Sequence, residues 1–240
     1  MSGTLYGVGL GPGDPELVTL KAHRLITQAR VIAYPKAEGA PSFARAIAEG
    51  YIAENTMEIP IEMPMRADRV PAREVYDRAS AQISEVLRGG RDVVVLCEGD
   101  PFLFGSFMYL YERLSAEFQV VVVPGVSSVT ACAAALGRPL SARNDTLTVL
   151  PATLSDEELE QHLLNSSSLA IMKVGRHLSR IKALLEKNNL VDHAGYVERA
   201  SLAEQKVMPL TEQDEDNAPY FSMVLVYKGE EAWMLPRQSS

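Results

Sequence analysis

The chain predicts an α/β fold of two domains, a parallel N-terminal sheet followed by a mixed C-terminal sheet. Three observations carry that expectation. Short apolar runs alternate with helical patterns through the first half, the pattern of a parallel sheet covered on both faces. The last strand candidates follow one another without a good intervening helix, so part of the second sheet is antiparallel. The length of 240 residues suffices for two modest cores, and a break at 137–144, rich in small and basic residues, sets the expected domains at 1–140 and 141–240.

The elements follow in order. Strand candidates in the first half are 5–9, 31–34, 92–97 and 120–123, with a weaker one at 57–61. Between them, 15–29 carries Leu17, Leu20, Leu25 and Ile26 at helical spacing, and 71–88 carries Val75, Ala79, Ile83, Val86 and Leu87 before a Gly89-Gly90 stop. Phe107, Leu110, Tyr111 and Leu114 mark a further helix, for which Asp100-Pro101 makes an ordinary start, Asp as N-cap and Pro at the first helical position. In the second half the strands are 146–150, 169–174, 194–197, 205–208 and 222–227. Ser155-Asp156-Glu157-Glu158 reads as a capping box, and Asn188-Asn189 ends the helix bearing Leu178, Ile181, Leu184 and Leu185. The acidic run 212–217 reads as a solvated loop.

Composition narrows the function. At 47% hydrophobic and 22% charged the chain is an ordinary globular one. No apolar stretch reaches membrane-spanning length, and residues 1–4 open into a strand rather than a targeting signal. Cys97 and Cys132 lie in apolar runs and read as buried thiols, which suits the cytoplasm. A net charge of −8 argues against nucleic-acid binding, yet a local basic patch can still take an acidic small molecule. His23, His162, His177 and His193 are scattered, so no protein-held metal is expected.

Three strand-to-helix turns carry the chemistry. The first, Gly7-Val8-Gly9-Leu10-Gly11-Pro12-Gly13-Asp14-Pro15, invites reading as a dinucleotide fingerprint. That reading fails twice: Pro12 stands where the third glycine belongs, and Tyr34-Pro35-Lys36 lacks the acid that would hold a ribose. The second turn is Glu98-Gly99-Asp100-Pro101-Phe102-Leu103-Phe104-Gly105-Ser106, and the third is Pro124-Gly125-Val126-Ser127-Ser128. Ser127 serves equally as a helix cap. All three turns fall at the carboxyl edge of one sheet, where open α/β sheets bind ligands.

In this order, the three turns resemble the signatures of the tetrapyrrole methylases, S-adenosylmethionine-dependent enzymes of cobalamin and sirohaem synthesis. The resemblance extends over essentially the whole chain. Within the family, Tyr34-Pro35-Lys36 and the run 98–109 are most similar to the branch that methylates precorrin-2 at C20, and Phe104-Gly105-Ser106 is more like the metal-free than the cobalt-first wording. The resemblance implies a homodimer of two-domain chains with the cofactor in the interdomain cleft. It implies that Glu98, Gly99 and Asp100 line the cofactor, largely through backbone, that Leu103 and Phe104 border it, and that Ser127 and Ser128 meet it from the next turn. Pro12 matches a cleft position, and Met172, Val174, Ala200, Ser222 and Met223 match the closure of the adenosine pocket. Asp100 is a candidate for the base that deprotonates the methylated carbon, beside its capping role. The implied substrate bears eight carboxylates, for which Lys36, Arg66, Arg138 and Arg143 are candidates. Arg69, Arg73 and Arg78 lie near Arg66, where a solvated helix face is the plain alternative. The rival functions are methylation of the cobalt-loaded substrate and a nucleotide-binding oxidoreductase.

Overall fold

A computed structural model describes residues 2–64, 69–213 and 218–231, with side chains left out over 69–72. Arg66 and residues 214–217 of the acidic run therefore lie outside the described residues, as does the side chain of Arg69. The chain divides into two compact units, Met1–Ser127 and Ser128–Ser240.

The first unit is a five-stranded parallel sheet of β1 (Leu5–Gly9), β2 (Val31–Ala37), β3 (Met57–Met63), β4 (Val93–Cys97) and β5 (Val120–Val123), ordered β3-β2-β4-β1-β5. Four helices cover it: α1 (Leu20–Gln28), α2 (Phe43–Ala48), α3 (Arg69–Arg88) and α4 (Phe107–Leu114). Strand periodicity decides which helix meets which face. On one face Val94 and Leu96 of β4 and Val8 of β1 pack with Ala22, Ile26, Ala44 and Ile47 of α1 and α2. On the other, Val93, Val95 and Cys97 pack with Val75, Ile83 and Leu87 of α3 and Phe107 and Leu110 of α4. The chain thus leaves β1 toward one face and leaves its neighbour β4 toward the other. The carboxyl ends of this pair form the switch point at which such sheets open a crevice.

Three local expectations change. The helix expected over 15–29 is two pieces, because two caps compete for the segment. Asp14 accepts the N–H of Glu16 at 2.8 Å and starts a 3-10 turn, Pro15–Leu17, while Thr19 accepts the N–H of Ala22 at 3.2 Å and starts α1. The six-residue α2 was not foreseen; it is too short to show a period, and Ser42 caps it through the N–H of Arg45. Asp100 is not the N-cap of α4, which begins at Phe107 after a turn with Ser106 as its cap.

A polar cluster pins α2 to the sheet. Arg45 grips Glu58 of β3 through Nε at 2.8 Å and a second guanidinium nitrogen at 3.0 Å, and the Tyr34 hydroxyl donates to the same carboxylate at 2.6 Å. The Arg45 hydrogen bonds hold the Glu58 carboxyl below its ordinary 4.5, against the cost of burial. Its stabilising contribution is therefore present above pH 4.5 and is lost as pH falls through the depressed folded value. Thermal melts between about pH 7 and pH 3 should show Glu58→Gln losing less stability on acidification than the wild type; equal losses would refute this.

The second unit holds α5 (Ser128–Leu136), β6 (Leu147–Pro151), α6 (Asp156–Asn165), β7 (Ser168–Met172), α7 (Leu178–Lys187), β8 (Ala194–Glu198), β9 (Lys206–Pro209) and β10 (Ser222–Tyr227). Its sheet is mixed as expected, ordered β6-β7-β10-β8-β9, with only β6 and β7 parallel. Helices α6 and α7 bury Leu159, Leu163, Ile181 and Leu185 against one face, and α6 opens on the anticipated Ser155–Glu158 capping box. Helix α5 covers the other face, setting Val129, Cys132 and Ala133 against Ala170, Val197 and Leu225. That packing draws α5 into the second unit, so the compact units divide at Ser127/Ser128 rather than at the break placed near 140. Among the described residues, no helix is long and apolar enough to cross a membrane.

Candidate active site

The carboxyl ends of β4, β1 and β5 stand side by side, and their turns are locked together through backbone. Gly11 and Gly99 form an antiparallel bridge, each donating its N–H to the other's carbonyl, at 3.2 and 2.8 Å. Just beneath, a Cβ placed on Gly9 would fall 2.5 Å from the Gly125 nitrogen, and one on Gly125 would fall 2.0 Å from the Gly99 carbonyl oxygen. Glycine is required at both positions so that the three turns can touch one another. Gly7 is glycine for a different reason: its Cβ would enter the Phe107 ring at 2.3 Å. Gly99 adopts φ +60°, a left-handed conformation that a side chain resists, and the space its Cβ would occupy is open. Exposed backbone at a rigid sheet edge is what a small polar ligand needs for close approach.

Asp100 ties two of these turns together. Its Oδ1 accepts the N–H of Phe102 at 2.9 Å and its Oδ2 accepts the N–H of Gly125 at 3.1 Å. The following turn is tight, since a Cβ at Gly105 would meet the Pro101 carbonyl oxygen at 2.5 Å, and Phe104 is held at φ +53°. A bulky residue in that region is strained, and such strain gathers at binding sites. Leu103 and Phe104 are exposed, Pro12 is half-buried, and the half-buried Ser127 and Ser128 lie at the start of α5.

In the second unit Met172, Val174, Ala200, Ser222 and Met223 gather at one edge of the sheet, where β7 and β8 end and the antiparallel β10 begins. Three non-glycine residues there, Lys173, Arg199 and Ser201, have positive φ. Ser222 staples the edge: its hydroxyl accepts the N–H of Gly175 at 3.1 Å and donates to the Pro219 carbonyl at 2.7 Å. Met172 and Met223 are cross-strand partners and share the α5 face with Ala200. Val174 is wholly buried on the opposite face, so only its backbone is available at this edge.

Comparison with known proteins bears on these arrangements. The family described as Tetrapyrrole (Corrin/Porphyrin) Methylases matches residues 4–214. The chain belongs to the tetrapyrrole methylases. It is 41% identical over 235 residues to the cobalamin biosynthesis protein CobIJ of Mycobacterium tuberculosis, covering 95% of this chain but only 46% of that protein, so the chain spans about half the length of that relative. It is 38% identical over 232 residues to the precorrin-2 C(20)-methyltransferase of a Sinorhizobium species, covering 93% of this chain and 95% of that one. Among solved structures, the uroporphyrin-III C-methyltransferase of Thermus thermophilus, complexed with S-adenosyl homocysteine, shares the fold with a TM-score of 0.69 at 24% identity, covering 94% of this chain and 92% of that one. Tetrapyrrole methylases take their methyl group from S-adenosylmethionine.

The cationic candidates of this tetrapyrrole methylase are less concentrated than its turns. Lys36 stands near the end of β2, paired with its cross-strand neighbour Glu62 at 2.8 Å. Arg138 is half-buried, its guanidinium nitrogen lying where a Cβ of Gly195 would be only 2.6 Å away, and burial lowers its proton affinity. Gly195 is three positions before Glu198 in β8, roughly 10 Å along the strand from the edge that carries Ala200 and Ser222. Arg143 is exposed and paired with Glu231 at 3.2 Å, ahead of the amino-terminal end of β6. Within the second unit, neither arginine joins the edge with the positive-φ residues. Arg73 and Arg78 are exposed on α3. The reading of single residues also missed α2, whose one available sign was the Ser42 cap.

Proposed function

We propose that this tetrapyrrole methylase transfers the methyl group of S-adenosylmethionine to C20 of precorrin-2, giving precorrin-3A. The observation that carries the substrate is the end-to-end match with a precorrin-2 C(20)-methyltransferase. The junction of β1, β4 and β5 supports the cofactor, since it offers fixed backbone and open space at Gly99. When bound, S-adenosylmethionine supplies an electrophilic methyl on sulfur. The proposed contacts are Pro12, Glu98, Gly99, Asp100, Leu103, Phe104 and Ser127 in the first unit, and Ser128, Met172, Val174, Ala200, Ser222 and Met223 in the second. Their work is placement of the methyl in line with an electron-rich carbon, which accounts for a large part of such a barrier, and exclusion of water from an oxidisable macrocycle. Lys36 and Arg66 are the proposed carboxylate contacts. Anaerobic incubation with S-adenosylmethionine and precorrin-2, or its cobalt form, tests the reading by mass spectrometry. One added methyl on the metal-free substrate, placed at C20 by NMR, is expected. Methylation of the cobalt form alone would move the chain to that branch, and methylation of neither would end the substrate assignment.

We also infer that the enzyme works as a cytoplasmic homodimer. An apolar surface on α4 and the turn before it supports this, with Phe102, Met108, Tyr109 and Tyr111 each about two-fifths or more exposed (47, 40, 43 and 39%). Contiguous exposed aromatic residues of this kind mark association surfaces. Light scattering should give twice the chain mass, falling to the chain mass for Met108→Glu with Tyr111→Glu; a monomeric wild type would refute the pairing.

A further inference from the structure

Three strands at the centre of the second sheet end or begin at the edge that carries Ala200 and Ser222. The chain leaves β7 through Lys173, Val174, Gly175 and Arg176 and leaves β8 at Arg199, while Tyr220 and Phe221 lead into the antiparallel β10 between them. Backbone ties these segments together. Arg199 donates its N–H to the Phe221 carbonyl at 2.8 Å, and the Ser222 hydroxyl bonds both the Gly175 N–H and the Pro219 carbonyl. A Cβ on Gly175 would stand 3.5 Å from the Tyr220 Cα, so these two loops touch. Two arginine-bearing segments therefore flank one aromatic pair, their strands spaced roughly 10 Å apart across β10.

The side chains here face solvent. Tyr220 is 62% exposed and Phe221 43%, with their rings edge to face at 5.3 Å. Arg176 and Arg199 are exposed, and among the described residues neither pairs with a carboxylate. Arg176 makes one long contact, from Nε to the His177 Nε2 at 3.5 Å. By contrast Arg180, Lys187 and Lys206 of the same unit hold Asp156, Glu160 and Glu198 at 2.5, 2.8 and 2.9 Å. Two acids, Glu198 and Glu212, share a cavity with Arg199. Glu198 is buried and takes the Tyr196 hydroxyl at 2.9 Å as well as Lys206, so among the described residues Glu212 alone opposes the two arginines. Arg199 is also held at φ +49°, a strained conformation that persists only where the surroundings impose it.

We propose that Arg176 and Arg199, with Tyr220 and Phe221 between them, form the surface of the second unit that receives the carboxylated tetrapyrrole. This rests on the methyl-transfer reading above and adds a second set of contacts to Lys36 and Arg66. Each guanidinium presents a planar pair of donors to a carboxylate of the substrate. The two rings cover part of the apolar macrocycle between those carboxylates. The surface shares its edge with Ala200, Ser222 and Met223, so substrate held there lies beside the proposed cofactor contacts.

Uroporphyrin III, a stable tetrapyrrole with eight carboxylates, is the probe, read by fluorescence titration of the full chain. Arg176→Met combined with Arg199→Met should bind it about 100-fold more weakly, about 10-fold for each arginine, and with a shallower dependence on salt. Tyr220→Leu combined with Phe221→Leu should bind about 5-fold more weakly with the salt dependence kept. Lysine at both arginine positions should recover part of the affinity. Arg24→Met, on an exposed position of α1, controls for net charge and should bind like the wild type. Melting temperature and S-adenosylmethionine affinity should not change in any variant, and KM for precorrin-2 should follow the uroporphyrin affinity. Wild-type affinity in the double arginine variant overturns the proposal, as does a wild type that does not bind uroporphyrin. Parallel loss of stability or cofactor affinity also overturns it, making the edge structural. Uroporphyrin bound through these residues without any methylation of precorrin-2 would sink the methyl-transfer reading and leave the surface standing. Methylation with an unchanged KM in the variants would sink this inference alone.

Discussion

Gly125→Ala should abolish S-adenosylmethionine binding and lower the melting temperature by about 10 °C. The added carbon would stand 2.0 Å from the Gly99 carbonyl oxygen and 2.9 Å from the carbonyl carbon of Gly9. Both are backbone atoms of neighbouring strand ends, so no rotamer change relieves the clash. Overpacking ordinarily costs about 1–3 kcal/mol, and a clash that must part three strand ends belongs at the top of that range. The parting also strains the Gly125 N–H bond to Asp100 and the Gly11–Gly99 bridge, where the cofactor backbone contacts are proposed. Gly50→Ala is the control, having nothing within 4 Å of its added carbon and no positive φ; it should melt within about 0.5 kcal/mol of the wild type. Calorimetric titration of both variants with S-adenosylmethionine decides the point. Wild-type affinity in Gly125→Ala would mean that the junction does not hold the cofactor.

Asp100→Asn should reduce turnover per unit substrate about 100-fold, as expected when a reacting group shifts by about 1 Å. The carboxylate presents an acceptor to each of two backbone donors, Phe102 and Gly125. An asparagine has one oxygen, and its amide must turn its own donors toward the other N–H. Hydrogen bonds to a charged partner are worth about 1.5–3 kcal/mol each, so the loss of one loosens the turns after β4 and β5 together. Asp100→Ala loses both bonds and should melt lower still. The alternative role for Asp100, as the base, predicts something different. In that case the asparagine variant would bind S-adenosylmethionine normally and fail only in losing the meso proton. Weakened binding together with slower methyl transfer supports the anchoring role, and normal binding with an isolated proton-transfer defect refutes it.

Much of the architecture was legible because it is written in local periodicity. The runs at β1, β2, β4 and β5 announced a parallel sheet, the Ser155–Glu158 box announced α6, and the shortage of helix between the last strands announced the antiparallel part of the second sheet. The positions of the three turns followed from the strands that feed them. The reasons for their residues did not, because those reasons are contacts between segments distant in sequence. Gly7 makes room for Phe107, Gly9 for Gly125, and Gly125 for Gly99; a single chain read locally shows only closely spaced glycines. The Asp100-Pro101 pair looked like a helix start since that motif is common, yet the oxygen that bonds Gly125 answers to a different strand. Val174 and Met172 stand two apart, but the positive φ of Lys173 breaks the extended conformation between them, so the period of a strand no longer tells which face each occupies. From the sequence Arg138 reads as a candidate carboxylate contact, and only the missing side chain of Gly195 explains how it lies against β8.

The order of the second sheet bears on how the protein is made. β10 is synthesised after every other strand of that sheet, yet it sits in the middle, between β7 and β8. Until it emerges from the ribosome, β6–β7 and β8–β9 are separate ribbons, each with an unpaired edge. Val224, Leu225 and Val226, which fill both faces of the finished core, are not yet there to join them. The first unit, whose five strands are all complete by Val123, has no such wait. Nascent chains should therefore pass through a stage with one finished half and one half displaying two apolar edges, the state most open to mispairing with a neighbouring chain and to capture by chaperones.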